Sequence, residues 1–359
     1  MGEAVLVFPA GMPDGLAFAD RAKAMGLTVI GASSLDHDPA MGAYDDWEHL
    51  PYISDPGFDR ALAEVVRRHA VTAVHTPHYV VWKHLNERLG EIAPGARLTA
   101  GQSQLDTEKD YLALRVRVAA HRPPAFWPAF APKLPLSNLE RAGMVRLVST
   151  VPGMCGEEKM HAVMEMMRHA PAGDIVEIGS WCGRSATLFV LLAHRFELGK
   201  MLCVDPWAAE ALPQGDDLLD RASADCDCDE ALRIFETNLA PIALGRLNYA
   251  RSRSDLFAPR YGPGLTVETA AFGKTAYDGH IAVLHIDGNH TLEQAGRDCE
   301  QWTPHVVAGG WIIFDDYEWG FGDGPKVVAD AFVAANEARI AATFQAGAAL
   351  FVQLKRCHA

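Results

Sequence analysis

The sequence predicts an α/β protein of two units in series, each a largely parallel sheet with helices on its faces. Three observations predict it. Short apolar runs of strand length alternate with stretches of helical spacing, several runs end in a glycine or an acid, and a proline-rich stretch divides the alternation in two.

Ala4–Phe8 reads as the first strand and Gly15–Met25 as a helix, which Gly26 stops before a second strand, Leu27–Gly31. Phe58–His69 is a further helix and Val71–His75 a buried strand. Residues 1–120 are therefore expected to form a small α/β domain. The turn between Pro9 and Gly15 lies where such sheets bind ligands, but it matches neither G-x-G-x-x-G nor a P-loop. A structural or substrate-positioning role is expected of this domain.

Five prolines fall within residues 121–135, removing backbone donors and blocking helix. This stretch reads as a linker or an extended wrap, with Phe126, Trp127 and Phe130 packed against a surface. Ser137 is placed to cap a helix over Asn138–Val148, so residues 121–150 join the two domains. Residues 151–359 form the second domain, entered through a helix at Glu157–His169.

Composition narrows the partners. With 32 basic and 46 acidic residues, the net charge of −14 repels phosphate backbones and argues against a nucleic-acid partner. Arg246, Arg251, Arg253 and Arg260 are the local exception and read as solvated charges around a strand. The chain opens without a basic, apolar leader, and no segment nears the roughly 18 continuous apolar residues a bilayer requires. A cytoplasmic protein with no membrane partner is expected, and assembly into a homo-oligomer stays open. Seven cysteines, an odd number lying mostly in apolar elements, read as reduced thiols. Cys226 and Cys228, each flanked by aspartates, lack the paired C-x-x-C spacing of zinc sites and read as a polar loop entering a helix.

Chemistry concentrates in the second domain. The segment from Asp174 to Ser185 is a strand that ends in Glu177 and Gly179, followed by Gly183 and an apolar helix, Ala186–Phe196. Gly179 permits a tight turn, and Gly183 permits a ligand to approach the backbone. The Gly-x-x-x-Gly spacing lacks the dinucleotide fingerprint that cradles a pyrophosphate, and suits a nucleoside cofactor without phosphate such as S-adenosylmethionine. A second strand from Met201 ends in Asp205, placed to accept ribose hydroxyls or, more plainly, to cap a turn. The strand Ile281–Leu284 leads through His285 to Asp287 and His290, a helix spans Leu292–Trp302, and another strand ends in Asp315 and Asp316. Parallel neighbours would bring the three aspartates to one edge. Clustered carboxylates repel unless a cation sits among them, and oxygen ligands favour a hard ion such as Mg²⁺. Otherwise one acid caps the next element and the others are solvated.

Residues 174–320 resemble the class I S-adenosylmethionine-dependent methyltransferases, in the group that includes the macrocin- and mycinamicin-type sugar O-methyltransferases. The resemblance is carried by Glu177-Ile-Gly-Ser-Trp-Cys-Gly183, Val204-Asp-Pro-Trp207, His285-Ile-Asp-Gly-Asn-His290 and Gly309-Gly-Trp-Ile-Ile-Phe-Asp-Asp316. It implies a Rossmann-like sheet closed by an antiparallel hairpin over Ile340–Phe344 and Ala349–Leu354 after a helix, Pro325–Glu337. It also implies that Glu177, Gly179 and Asp205 hold the cofactor, with Ser180, Gly183, Ser185, Trp207 and Asp287 beside it. Ser252 and Arg253, within Tyr249–Ser254, fall where such enzymes line the adenine pocket. Asp287, Asp315 and Asp316 are implied ligands of Mg²⁺, and His290 the catalytic base beside Asp287, acting on a small-molecule hydroxyl acceptor. Leu292 replaces a frequent tyrosine of the group, and Ala208–Asp229 is an insert where these enzymes place a lid. The N-terminal domain loosely resembles the Rossmann-like domain preceding ATP-grasp enzymes, although no ATP-grasp domain follows. His285, inside its strand, is expected to be a satisfied core histidine. Two other functions share parts of this pattern: a nicotinamide-dependent oxidoreductase, disfavoured by the missing G-x-G-x-x-G, and a non-catalytic cofactor-binding scaffold, disfavoured by the intact acids and His290.

Overall fold

A computed structural model describes residues 3–122 and 132–356. Phe126, Trp127, Phe130 and Cys357 lie outside the described residues. The chain divides into two compact units, Met1–Ala113 and Leu114–Ala359, and the division falls inside a helix, Gln104–Ala120.

The N-terminal unit holds five strands: β1 Ala4–Val7, β2 Thr28–Ser33, β3 Asp46–His49, β4 Val71–His75 and β5 Arg97–Leu98. All pair in parallel, in the order β3-β2-β1-β4-β5. Successive side chains of β1 alternate across the sheet, as pleating requires. Leu6 joins Ile30, Leu62, Val74 and Leu85 on one face. Val5 and Val7 join Ala19 and Val29 on the other. Helices Pro13–Ala24, Phe58–Arg68 and Tyr79–Ile92 supply the covering residues.

The C-terminal unit holds β6 Asp174–Ile178, β7 Met201–Asp205 and β8 Leu247–Arg251, then the hairpin β9 Thr266–Thr269 and β10 Gly273–Ala276. Its remaining strands are β11 Ile281–Ile286, β12 Val306–Phe314, β13 Ile340–Ala346 and β14 Ala349–Leu354. Seven of these form one sheet in the order β13-β14-β12-β11-β6-β7-β8. β14 runs antiparallel to both β12 and β13, so it alone is reversed in this sheet. The expected mostly parallel sheet with its antiparallel closing hairpin is thus present. Val176, Leu202 and Leu284 bury one face, and Ile175, Met201 and Val283 the other.

Ser137 caps the helix Asn138–Ser149 in a reciprocal capping box with Glu140. The segment around Cys226 and Cys228 is a helix start: the Asp227 side chain accepts the Glu230 amide at 2.9 Å. Both thiols are free, as are Cys155, Cys182, Cys203 and Cys299. Among the described residues, no helix is long and apolar enough to cross a membrane.

Candidate active site

Parallel pairing fixes where the site lies. The ladder runs one step past each strand: the Gly179 amide donates to the Val204 carbonyl, Asp287 to Ile178, and Asp315 to Ile286, at 2.8–3.0 Å. The residues that end β6, β11 and β12 are therefore neighbours at the carboxyl edge of the sheet. Gly179 is required there. At φ +80° it passes so close to β11 that a Cβ would sit 1.9 Å from the Asp287 carbonyl oxygen.

A cavity of about 990 Å³ opens over this edge. Its wall includes Gly179, Ser180, Ser185, Asp205, Trp207, Arg253, Asp287, His290, Asp315 and Asp316. The insert contributes Leu212, Gln214 and Leu219 to the same wall. It is tied to the β11 loop, since Asn289 donates to the Pro213 carbonyl at 2.6 Å and the His290 amide to Gln214 Oε1 at 2.8 Å.

Three predicted cofactor residues are placed differently. Glu177 is fully buried behind the wall. It stands in register with His285 on β11, accepting His285 Nδ1 at 3.0 Å and the Ser180 hydroxyl at 2.6 Å, so it shapes the loop from beneath. Gly183 caps the helix Arg184–Arg195 at φ +90°. A Cβ there would meet Leu239 and Phe235 at 3.0 Å, so its missing side chain makes room for packing rather than for a ligand. Ser252 lies outside the wall, its amide on the Asp205 carbonyl and its hydroxyl on the Arg253 carbonyl.

Asp205 reaches the cavity but is already engaged. Its Oδ2 accepts the amides of Ser180 and Trp181 at 2.8 and 3.0 Å, and its Oδ1 that of Trp207 at 2.8 Å. Burial pushes its carboxyl up, against the pull of these amides. Oδ2 has both lone pairs engaged, and Oδ1 keeps one for a further donor.

The aspartates gather around Asp287. One cluster contains Asp287, His285 and Asp315, and the other Asp287, His290 and Asp316; in each, ligating atoms lie within 4.8 Å of one another. Asp287 thus neighbours Asp315 in one cluster and Asp316 in the other, and neither cluster holds all three predicted metal ligands. Asp316 adopts φ +48°, a left-handed conformation that aspartate tolerates better than most residues. Its Oδ2 lies 3.0 Å from His290 Nε2, out of line for a hydrogen bond, and both ring nitrogens of His290 are buried without a hydrogen-bond partner. The His290 ring packs on Trp319 at 4.4 Å.

Sequence reasoning missed Lys159. Its ammonium is buried, pairs with Asp315 Oδ2 and approaches His285 Nε2 at 3.0 Å. An ammonium has no lone pair, so His285 accepts at Nε2 and carries its proton on Nδ1, which donates to Glu177. His285 is the satisfied core histidine expected. Burial opposes the charge of Lys159, but Asp315 overrides it and the ammonium is held more firmly than usual. Burial likewise pushes Asp315 upward, yet Lys159 outweighs it and holds the carboxyl well below the usual range. Asp287 lacks such a partner. With 27% of its side chain exposed at the cavity it is still ringed by protein, and burial followed by the Asp315 charge pushes it well above the usual range. The signal for Lys159 was legible as a charge on an apolar stripe, since Lys159, Val163 and Met166 recur at helical spacing.

Asp298 was also missed. It lines the cavity almost fully buried, accepting at Oδ1 from the Ser254 hydroxyl and from Gln294 Nε2 at 3.0 Å. Burial raises its pKa to about 6.

A seven-stranded sheet with one reversed strand, carrying a glycine loop and acids at its carboxyl edge, defines a class I S-adenosylmethionine-dependent methyltransferase fold. Residues 176–317 match a family model described as a methyltransferase domain, and the chain is an enzyme of that class. No curated protein sequence matches it. Among solved structures, the chain is similar to the O-methyltransferase NovP at 18% identity, over 69% of this chain and 99% of that one, with a TM-score of 0.40. It is similar to the calicheamicin methyltransferase CalS11 at 16% identity, over 71% and 94% of the two chains, with a TM-score of 0.40. A third likeness, at 17% identity and a TM-score of 0.36, is to the MycE methyltransferase of the mycinamycin pathway in complex with Mg, SAH and mycinamycin VI. That likeness covers 59% of this chain and 54% of that one.

Proposed function

We propose that the enzyme methylates a hydroxyl oxygen of a small molecule, of the sugar or glycoside class, with a divalent ion such as Mg²⁺ at the carboxylate cluster. One observation carries this reading: Asp287, His290 and Asp316 bring ligating atoms within 4.8 Å of one another in the cavity wall, with His290 Nε2 3.0 Å from Asp316 Oδ2. His290 Nδ1 is buried without a hydrogen-bond partner, and buried polar groups are rarely left so, which fits a ring kept for proton transfer rather than for packing.

S-adenosylmethionine brings an electrophilic methyl on its sulfonium, and the protein's work is alignment and proton removal. Gly179 and Ser180 line the cavity where the nucleoside would lie, Asp205 Oδ1 keeps a lone pair for the ribose, and Arg253 borders the adenine end. The residues fit a hard cation: Asp287, Asp315 and Asp316 supply oxygens, and the carboxyl of Asp287 is held so far up that it wants either a proton or a positive charge. A divalent ion there would acidify a bound hydroxyl. His290, steadied by Trp319, takes the acceptor's proton, while the insert screens the cleft from water.

The test is methyl transfer from radiolabelled S-adenosylmethionine to a panel of sugars, glycosides and phenols, with Mg²⁺ and with chelator. Label appearing on a hydroxyl in the Mg²⁺ arm, and lost with His290→Gln, supports the reading. Transfer to nitrogen or carbon acceptors alone, or equal transfer under chelator, contradicts it.

A further inference from the structure

The two carboxylate clusters that share Asp287 differ in how far they are already satisfied. In the buried one, both nitrogens of His285 are in use, by Lys159 and by Glu177, and Asp315 Oδ2 is bonded to Lys159. In the other, Asp316 and His290 line the cavity, and the His290 ring has no hydrogen bond, its Nε2 lying 3.0 Å from Asp316 Oδ2. From Ser180 on the cofactor loop a continuous buried chain of contacts runs through Glu177, His285 and Lys159 to Asp315.

We infer that Lys159 is a positioning residue: its ammonium serves as a built-in cation that holds Asp315 away from the divalent ion, leaving Asp287 and Asp316 as the carboxylates that bind it directly. This rests on the metal-dependent reading above and narrows its ligand set. Three aspartates around one divalent ion would leave a net negative charge in a water-poor pocket. The lysine cancels one of them without using a coordination position. The site then presents two carboxylates, with the remaining positions left to water or to acceptor oxygens, the arrangement that Mg²⁺ favours. The burial of the Lys159–Asp315 pair, with side chains 4% and 7% exposed, keeps its attraction unscreened.

Mn²⁺ binding, followed by electron paramagnetic resonance on the protein loaded with S-adenosylhomocysteine, separates this role from a merely structural one. Asp287→Asn removes a direct ligand and should weaken Mn²⁺ at least tenfold or so. Asp315→Asn leaves the Lys159 charge unpaired beside the ion. The double variant Lys159→Met/Asp315→Asn removes both charges and should bind Mn²⁺ within about threefold of the parent protein. A double variant as weak as Asp287→Asn makes Asp315 a direct ligand and overturns the inference. Should the double variant not fold, the anomalous signal of Mn²⁺ in crystals of the parent protein reads the same point. The ion is expected on Asp287 and Asp316 with Asp315 still on Lys159, and an ion bonded to Asp315 refutes it. If the parent protein binds S-adenosylhomocysteine but takes up no Mn²⁺, the metal-dependent reading fails and this inference with it, a result distinct from either outcome above.

Discussion

In the N-terminal unit the ends of β1 and β4 deliver Phe8, Pro9, His75 and Thr76, whereas in the C-terminal unit β6, β11 and β12 deliver Gly179, Asp287, Asp315 and Asp316. Both edges belong to parallel sheets with helices on their faces, and loops of similar kind cross them. The N-terminal edge satisfies itself. Phe18 stacks on His75 at 3.8 Å, His75 Nδ1 meets the Thr99 hydroxyl at 2.8 Å, and the Tyr44 hydroxyl donates to the Ala10 carbonyl at 2.7 Å. Burial depresses His75 to about 4, which keeps it neutral. The C-terminal edge instead crowds Asp287 with the charges of Asp315 and Asp316 and leaves the His290 ring without a hydrogen bond, over a large cavity. An architecture offers an edge, and unsatisfied polar groups on that edge make it a site.

Removing what distinguishes the second edge should break the contrast. The largest effect is expected from Asp287→Asn, which keeps the shape but deletes the carboxylate common to both clusters, lowering kcat by roughly 10³-fold. Initial rates with saturating cofactor measure it. His290→Gln should follow, with kcat reduced on the order of 10²-fold and the affinity for S-adenosylhomocysteine unchanged in calorimetry.

Asp298 sharpens the comparison through pH. Its folded pKa, about 6, lies above the ordinary carboxyl value, so between roughly pH 4 and 6 the folded protein binds the extra proton. Stability from this group therefore falls as pH rises across that window, by about 3 kcal/mol in all, and is fully lost above it. Asp298→Asn should flatten that slope in urea titrations run at several pH values, and an unchanged slope contradicts the assignment. The smallest effect belongs to the first edge. His75→Gln should cost stability on the order of 1 kcal/mol while leaving methyl transfer unaltered, as denaturation and rate measurements would show.

Most strands were legible because their apolar runs are short and bounded, as at Ile281–Ile286 and Ala349–Leu354. β3 was not, since Asp-Trp-Glu-His carries no apolar run and lies at a sheet edge. β5, two residues long, leaves no periodicity to read. The positions of Asp287, Asp315 and Asp316 followed from parallel neighbours ending together, which sequence order and strand length fix. What each acid touches did not follow. Lys159 lies 156 residues from Asp315 and meets it only through packing of the helix Glu157–Arg168. Glu177 and Gly183 were read as facing a ligand because motif spacing shows which loop a residue is on, and register with His285 or contact with Phe235 decides which way it points.

A crystal structure of the protein with S-adenosylhomocysteine tests the account most directly. The ribose should meet Asp205 and the sulfur should face the space between Asp287 and His290. Nucleoside density elsewhere, or a cleft that stays empty at saturating ligand, would refute it.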